Sequence, residues 1–392
     1  MAVCPLKFYN RDNGEFIDIS IGPPKRGLLY EVHIADLHFG SIKPENEYQI
    51  LKMYFLDKIN AMNRIDIISV DGDLFDHKFL AGSDAILYGM KFVADLVDIA
   101  KSHNATLILI DGTPSHDAGQ LKLFYNYMRD RELDIRIIST IQYQWIKGAK
   151  ILCIPELHGV DESIYRKYLY EEYCDQVFGH MTFKGAVYNN NVGTGRLFSI
   201  EDFLHCRGPI ISGHVHIPGC FNSDFYYTGS PIRYKYGEEE PKGFLIVIVD
   251  LDNRKYFTHF EEIISYKYTT IELTDIFKDP KDIIDYIIKV KNEQNIDHIR
   301  IAFKYIVDGS SQLVLTNYFK SNSGVDLKFM DTASTIMQEA VEKRGSVPES
   351  EYNFLTDNNL SDEEKFVKYV NLKEGYDFIT VDRLRELLSE RI

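Results

Sequence analysis

Short apolar runs, each ending in a polar cluster, dominate the chain from Leu28 to about residue 262. Amphipathic stretches at 45–62 and 83–102 separate the early runs, and their apolar residues recur at helical spacing. Strands that alternate with helices and then follow one another are typical of a layered α/β domain. The predicted strands are Leu28–Ala35, Ile65–Val70, Thr106–Ile110, Lys150–Pro155, Gln176–Phe178, Pro209–Ser212 and Gly243–Asp250.

The pattern changes after residue 262. A strand is predicted at 266–273, and Asp279-Pro280 opens a helix because Asp suits an N-cap and Pro the first helical position. A strand, a helix and a strand follow, which makes a small βαβαβ unit. Beyond residue 335 the segment is predicted to be helical and acidic, and Ser361 with Glu364 fits a capping box. Two short amphipathic helices are predicted there, with Phe366 and Val370 on one face of the first and Leu384 and Leu388 on one face of the second. We therefore predict three domains, at 1–262, 263–335 and 336–392, with an added hairpin within residues 1–27.

Five polar motifs lie just past the carboxyl ends of predicted strands. Open α/β sheets bind their ligands at this edge, so we expect the motifs to share one site. The motifs are Asp36-Leu37-His38, Gly72-Asp73-Leu74-Phe75-Asp76, Gly112-Thr113-Pro114-Ser115-His116-Asp117, Gly179-His180 and Gly213-His214-Val215-His216.

The residue types in these motifs predict a metal centre. Carboxylate and imidazole ligands without thiolate suit Mn²⁺, Mg²⁺ or Fe²⁺. Asp36 and His38 can reach one ion from a single turn, His214 and His216 can each serve one ion, and Asp73 can bridge two. Two ions about 3.5–4 Å apart activate a water molecule and hold the phosphoryl oxygens of a substrate.

His116 is not needed as a ligand in this arrangement. It is then available to stabilise charge at the reacting phosphate or to protonate the leaving oxygen. Three other features have ordinary interpretations: His33 as a core or sheet-surface residue of a strand, His158 as a loop residue, and the run Glu238–Glu240 as a solvated turn.

The charge of the chain limits how it can hold nucleic acid. There are 44 Lys and Arg against 59 Asp and Glu, a net charge of −15. A protein that holds DNA only through a basic surface is not expected to be this acidic, so a local basic face, bound cations or a partner must supply the attraction. No apolar run approaches the ~18–20 residues of a membrane span, and the N-terminus lacks a secretory signal. Five cysteines without a CxxC pair favour reduced thiols in the cytoplasm.

The order of the five motifs resembles that of the calcineurin-like metallophosphoesterase superfamily. Two stretches, 72–76 and the pair 229–233 and 237–243, resemble the SbcD-type DNA repair nucleases in particular, including their phage branch. The resemblance covers residues 28–335 and reaches the tail only by position. It implies a four-layer αββα sandwich with a small βαβαβ cap and a helical C-terminal tail, in the host cytoplasm if the chain is phage-encoded.

The resemblance also implies a role for each motif residue. His116 would be the catalytic acid or charge-stabilising group, and Asp76 stands where some relatives have a phosphate-contacting histidine. The third motif departs from the usual Gly-Asn-His-Asp, since two residues are inserted and Ser115 takes the asparagine position. We therefore expect a weaker second ion, unless Thr113, Ser115 or a backbone carbonyl restores the ligand. The implied ligands are Asp36, His38, Asp73 and His216 for one ion, and Asp73, Ser115, His180 and His214 for the other.

The function implied is that of a Mn²⁺-dependent DNA nuclease, an exonuclease or endonuclease of DNA end processing, recombination or repair. Its partners would be an SbcC-type coiled-coil ATPase, bound through the tail, and a second copy of the chain, bound through the helices near 45–62 and 83–102. One alternative is a stand-alone metallophosphoesterase acting on a small phosphate ester or cyclic nucleotide, which would share every ligand. Another is a catalytically weak DNA-end scaffold, for which the serine at position 115 is the only support.

Overall fold

Two six-stranded sheets contain most of the strands of this computed structural model. The structure describes residues 7–10, 15–18, 27–127, 133–157, 159–184, 197–220, 224–274, 277, 279–320, 324–330, 360–361, 364–365, 367–368 and 380–381. The strands are β1 (Lys7–Asn10), β2 (Glu15–Asp18), β3 (Leu28–Ile34), β4 (Ile67–Asp71), β5 (Thr106–Ile110), β6 (Asp134–Ile138), β7 (Gln142–Ile146), β8 (Ala149–Ile154), β9 (Gln176–His180), β10 (Thr182–Phe183), β11 (Leu197–Phe198), β12 (Ile210–Gly213), β13 (Gly219–Cys220), β14 (Phe225–Tyr227), β15 (Gly243–Asp250), β16 (Lys255–Glu262), β17 (Tyr268–Leu273), β18 (His298–Phe303) and β19 (Val325–Lys328).

The helices of the described residues are fewer than the strands. They are α1 (Pro44–Leu51), a π-helical turn (Lys52–Leu56), α2 (Asp57–Asn60), α3 (Asp84–His103), α4 (Glu162–Tyr170), α5 (Pro280–Glu293) and α6 (Gly309–Phe319), with 3-10 turns at Gln120–Phe124 and Ile200–Phe203. None of these helices is long and apolar enough to cross a membrane.

The first sheet has the strand order β16–β15–β3–β4–β5–β6, and the second β13–β14–β12–β9–β8–β7. Strands β3 to β6 are parallel, and so are β8, β9, β12 and β14. The carboxyl ends of parallel strands lie at the same edge of a sheet, which is where ligand-binding loops gather. Each of the five polar motifs follows or closes one of these parallel strands, on β3, β4, β5, β9 and β12.

Apolar side chains cover both faces of the first sheet. On one face, Val32 and Val70 belong to a buried cluster with Phe92 of α3. On the other face, Ile67 and Ile108 belong to a cluster with residues of the second sheet such as Phe178 and Ile211. Alternation along the strands produces this division, since neighbouring side chains in a strand point to opposite faces.

Helix α3 shows how local sequence sets an element. The Ser83 side chain accepts a hydrogen bond from the Ile86 N–H at 3.4 Å and so caps the helix start. The helix ends at Asn104, whose φ of 51° is left-handed and whose N–H bonds back to Ala100. The predicted limits, 83–102, are therefore within one residue of those observed.

The chain divides into two compact units. The first comprises Met1–Ile271, Lys281–Ile301 and Tyr318–Asp326, and it includes both six-stranded sheets. The second comprises Glu272–Pro280, Ala302–Asn317 and Leu327–Ile392, where Phe303 stacks on Phe329 with ring centroids 5.0 Å apart. A three-stranded sheet has the order β17–β18–β19. In the tail, the Ser361 and Glu364 side chains each bond the other's backbone N–H, which confirms the predicted capping box.

The structure is of the α/β class, as predicted. The predicted strands at Thr106–Ile110 and Gly243–Asp250 coincide with β5 and β15. The structure adds strands that the pattern had not revealed, including β7 and β16, whose side chains are mostly half-exposed. The three-domain division and the four-layer arrangement stay predictions, as does the helix pair of the tail, because Phe366, Val370, Leu384 and Leu388 lie outside the described residues.

The packing of α3 leads to a stability prediction. A Cβ on Gly89 would lie 2.4 Å from Cε1 of Phe75, whose ring is fully buried. We expect Gly89→Ala to lower the free energy of unfolding by about 1–3 kcal/mol through this overpacking, despite the better helix propensity of alanine. Gly82→Ala is the control, because a Cβ there meets nothing within 4 Å. Urea unfolding followed by circular dichroism measures both, and equal stability of the two variants would contradict the packing argument.

Candidate metal centre

The backbone at the predicted ligands is unusual. Asp36, His38, Asp73 and His214 have φ angles of 53°, 50°, 53° and 87°, all in the left-handed region. Residues other than glycine seldom adopt this conformation, and it persists where surrounding structure enforces it, often at functional sites. Here the Asp36 N–H donates to the Gly72 carbonyl at 3.1 Å and the His38 N–H donates to the Asp73 carbonyl at 3.0 Å. The loops after β3 and β4 therefore hold each other in these conformations.

Glycines allow the loops to come this close. Gly72 has a φ of 92°, and a Cβ on it would lie 2.1 Å from Nδ1 of His180. A Cβ on Gly112 would lie 2.1 Å from Oδ1 of Asp73. Any side chain at either position would displace a predicted ligand.

Asp117, the last residue of the third motif, binds backbone rather than facing a substrate. It is buried and accepts hydrogen bonds from the N–H groups of Asp73 at 3.1 Å, Phe75 at 3.1 Å and Gly112 at 2.7 Å. These bonds tie the loop after β5 to the loop after β4. Asp117 is thus a positioning residue for Asp73.

Asp36, His38 and His216 form the first cluster. Their ligand atoms all lie within 4.8 Å of one another. The Nε2 atoms of His38 and His216 are 3.0 Å apart. Both oxygens of Asp36 accept the His214 N–H, at 3.0 and 3.1 Å, so the carboxylate that closes this cluster also holds the next motif.

Asp73, His180 and His214 form the second cluster, again within 4.8 Å. Nε2 of His180 is 3.2 Å from Oδ2 of Asp73 and 3.1 Å from Nδ1 of His214. The same Oδ2 lies 3.8 Å from Nε2 of His38 in the first cluster. One carboxylate oxygen therefore lies between the two groups of ligands, as a bridging role requires.

Hydrogen bonds behind the ligands favour metal binding. Nδ1 of His180 donates to the Asp71 carbonyl at 2.9 Å, and Nδ1 of His216 donates to the Glu238 carboxylate at 3.0 Å. Metal-ligating histidines commonly donate their second ring N–H in this way, which fixes the tautomer and the ring orientation. In both rings Nε2 is then the atom turned to the cluster. Buried carboxylate oxygens and imidazole nitrogens in this arrangement fit two divalent cations.

The pKa values of His38 and His214 make these two ligands neutral, as metal binding requires. His180, in contrast, carries an additional proton. Burial and the neighbouring charge of His180 lower the pKa of His214 to about 3, and burial lowers the pKa of His38 well below its usual value. Both are neutral at pH 7, as ligands must be. Burial would also lower the pKa of His180, but the Asp73 carboxylate raises it to about 10. Metal binding therefore has to release a proton from His180.

His116 and Asp76 lie beside the first cluster. The His116 Nδ1 donates to the Asp76 carbonyl, and its ring meets the His38 ring edge-on with centroids 4.6 Å apart. The Asp76 carboxylate has one oxygen 3.6 Å from Nδ1 of His38 and the other 2.9 Å from Nδ1 of His77. The catalytic roles of both residues stay predictions.

Thr113, rather than Ser115, lies against the second cluster. Its hydroxyl is 3.2 Å from Oδ2 of Asp73 and 3.4 Å from both Nε2 of His180 and Nδ1 of His214. Its N–H donates to Oδ1 of Asp73 at 2.6 Å. Ser115 is exposed. The inserted residues thus bring a hydroxyl to the site from two positions earlier in the motif.

Glu238 was wrongly expected in a solvated turn. It is 1% exposed, and besides its bond with His216 it accepts the Tyr234 N–H at 2.9 Å. Burial would raise its pKa, but the bond with His216 and the charge of the buried Lys242 lower it to about 2. The signal available was the carboxylate–lysine spacing of four residues just before β15. His158 lies outside the described residues, and His33 is buried, as expected.

Comparison with known proteins gives one informative similarity. No family model matches the sequence. The chain is 23% identical over 376 residues to a protein of Staphylococcus epidermidis that is named as the SbcD component of the nuclease SbcCD, with 84% of this chain and 94% of that protein covered. A solved structure covers 60% of this chain, and 100% of its own, at 10% identity with a TM-score of 0.37, which carries no conclusion.

The name of this relative describes a component of a nuclease, and the similarity extends over most of both chains at low sequence identity.

The position of Thr113 leads to a binding prediction. We expect Thr113→Val to lower the affinity for one of two Mn²⁺ ions about tenfold, because the Thr113 hydroxyl contacts three groups of the second cluster. Ser115→Ala, two residues away and exposed, should leave both affinities unchanged. Calorimetric titration of the metal-free proteins measures this. The opposite pattern, with Ser115→Ala weakened and Thr113→Val unaffected, would restore the assignment made from the sequence.

Proposed function

We propose that this chain is the nuclease component of a DNA-processing complex and hydrolyses phosphodiester bonds with two divalent ions. The observation that carries this proposal is the shared Oδ2 of Asp73, which lies 3.2 Å from the His180 ring nitrogen and 3.8 Å from that of His38. Two clusters joined by one carboxylate are the arrangement that two-ion phosphoester hydrolysis needs. The similarity to a component of a nuclease supports DNA as the substrate.

The proposed ligand sets follow the two clusters. When bound, the ions would supply Lewis acidity to the phosphate oxygens and lower the pKa of the attacking water. Their nitrogen-rich environment favours Mn²⁺ or Fe²⁺ over Mg²⁺, which prefers oxygen ligands and keeps its water. We take Mn²⁺ as the main activating ion. The first ion would be held by Asp36, His38, Asp73 and His216, and the second by Asp73, Thr113, His180 and His214, with Ser115 as the alternative hydroxyl.

His116 is proposed as the acid or charge-stabilising group. Because its Nδ1 donates to the Asp76 carbonyl, its Nε2 remains available for the substrate. A positioned imidazole of this kind contributes about 10²–10⁴-fold to the rate of a proton-transfer step. Asp76 keeps the His116 ring in place through its backbone, and its carboxylate lies between His38 and His77.

The acidic charge of the chain supports a partner. With a net charge of −15, the chain gains affinity for DNA when another protein supplies cationic surface. We propose an SbcC-type coiled-coil ATPase for this role, bound through residues 336–392. We also propose a homodimer formed through the helices within 45–62 and 83–102, and a four-layer sandwich with a cap at 263–335.

A stand-alone phosphoesterase is the competing function, because a small phosphate ester could use the same ligands. Labelled duplex DNA and bis(p-nitrophenyl) phosphate, each assayed with Mn²⁺ with and without the ATPase, distinguish the two. The nuclease proposal requires that the ATPase raise the rate on DNA selectively. Rapid turnover of the small ester without cleavage of DNA in any of these mixtures would overturn it.

The different positions of His116 and Asp73 lead to a paired prediction. His116→Ala should lower DNA cleavage at least a hundredfold while both Mn²⁺ ions still bind, since the residue acts on the reacting phosphate. Asp73→Ala should lose both ions, because its Oδ2 lies between the clusters. Cleavage rates and calorimetric titrations on the same preparations test both statements. Tight binding of two ions by Asp73→Ala would show that it is not a bridge.

The tail leads to a partner prediction. The two short amphipathic helices predicted for residues 336–392 cannot form a core alone, so we expect them to pack on this chain or on another protein. Deleting them should leave Mn²⁺-dependent cleavage of short DNA and abolish co-purification with the ATPase. A truncated protein that binds the ATPase at full affinity would locate the contact elsewhere.

A further inference from the structure

Three polar side chains lie in the apolar layer between the two large sheets. Glu31 and His33 on β3 and Asp71 on β4 are all 0% exposed. They adjoin the cluster of Ile67, Phe178 and other apolar residues that fills this layer. Burial of charged groups is costly, and well-packed apolar residues in their place often make a protein as stable or more stable. Stability therefore does not explain why this layer is polar.

The three side chains form one connected group. Nδ1 of His33 is 2.9 Å from Oδ2 of Asp71, and its Nε2 is 3.6 Å from Oε2 of Glu31. The Ser69 hydroxyl donates to the other oxygen of Asp71 at 2.5 Å. Burial would lower the pKa of His33, but Asp71 and Glu31 raise it to about 9, so the imidazolium lies between two carboxylates.

Three residues of β9, in the second sheet, each contact one member of this group. Gln176 donates to the Glu31 carboxylate at 2.7 Å, and the Phe178 ring meets the His33 ring edge-on with centroids 4.5 Å apart. His180 donates from Nδ1 to the Asp71 carbonyl at 2.9 Å. Residues 176, 178 and 180 share one face of the strand, because side chains alternate along it. The last of the three contacts is made by a proposed metal ligand.

The Asp71 carbonyl is the critical link. It belongs to the peptide before Gly72, whose φ of 92° gives this peptide more freedom than an ordinary strand residue would allow. The Asp71 side chain, held by His33 and Ser69, limits that freedom. The Asp71 carbonyl then accepts the hydrogen bond from Nδ1 of His180. This bond orients the ring so that Nε2 of His180 faces Asp73 and His214.

We propose that Glu31, His33 and Asp71 are positioning residues for the metal ligand His180. This inference rests on the proposed metal centre and deepens it, since it assigns the polar layer to the second ion. The first cluster has its own support through Glu238 and His216, so the effect of the triad should be confined to one ion.

The test is Mn²⁺ binding to full-length His33→Gln in the absence of DNA. The ion whose affinity Thr113→Val also lowers should bind at least tenfold less tightly than in the parent protein, within the range found for loss of such supporting bonds, and the other ion should change less than twofold. Ile146→Val is the control, because it alters the same apolar layer from the edge strand β7, which β8 separates from β9, and it should leave both affinities unchanged. Unchanged binding of both ions by a folded His33→Gln would overturn the proposal.

Two further results distinguish failure of this proposal from misfolding of the variant and from failure of the proposed function. If His33→Gln does not fold, the imidazole nitrogens of His33 in the parent protein decide the matter by NMR. Both nitrogens should be protonated at pH 7, and a neutral ring would show that His33 does not bridge the two carboxylates. If the parent protein itself binds no Mn²⁺, the proposed function fails instead.

Discussion

The close approach of strand ends from two sheets is the constraint on which the site depends. A Cβ on Gly213 would lie 2.3 Å from the Asp71 carbonyl, and one on Gly72 would lie 2.1 Å from His180. Strands from both sheets thus meet where their loops carry carboxylates and imidazoles. In several motifs a glycine precedes a ligand because a side chain at that position would clash with the neighbouring loop. The ligands can therefore approach one another closely.

Electrostatics then act on a site already assembled by packing. Two carboxyl groups, those of Asp36 and Asp73, lie among the four imidazole rings of His38, His180, His214 and His216. Burial keeps His38 and His214 neutral, whereas Asp73 holds a proton on His180. The ligands therefore need only lose that proton and gain cations. Because burial excludes water, each of these interactions is stronger than at the surface.

Most of the site was predictable because its residues follow strands that are easily recognised. Asp36, Asp73 and His180 each come directly after an apolar run or close it, and parallel strands bring such positions together. The sequence left Thr113 and Ser115 as alternatives for the second cluster, and it could not decide between them because the path of a loop with two inserted residues depends on tertiary contacts. Glu238 was missed because acidic runs are usually solvated. Strands such as β16 could not be predicted because their half-exposed side chains weaken the alternation of apolar and polar residues.

Asp117 anchors the two ends of the loop after β5, whereas the middle of this loop lies at the surface. Its bonds to Gly112 and Asp73 fix both sides, whereas Pro114 and Ser115 between them are exposed. Side chains can be exchanged at these two exposed positions without altering the hydrogen bonds by which Asp117 holds the backbone of Asp73 and Gly112. The loop is thus a place where evolution, or a protein engineer, can change the approach of a substrate while the ion-binding groups stay where they are.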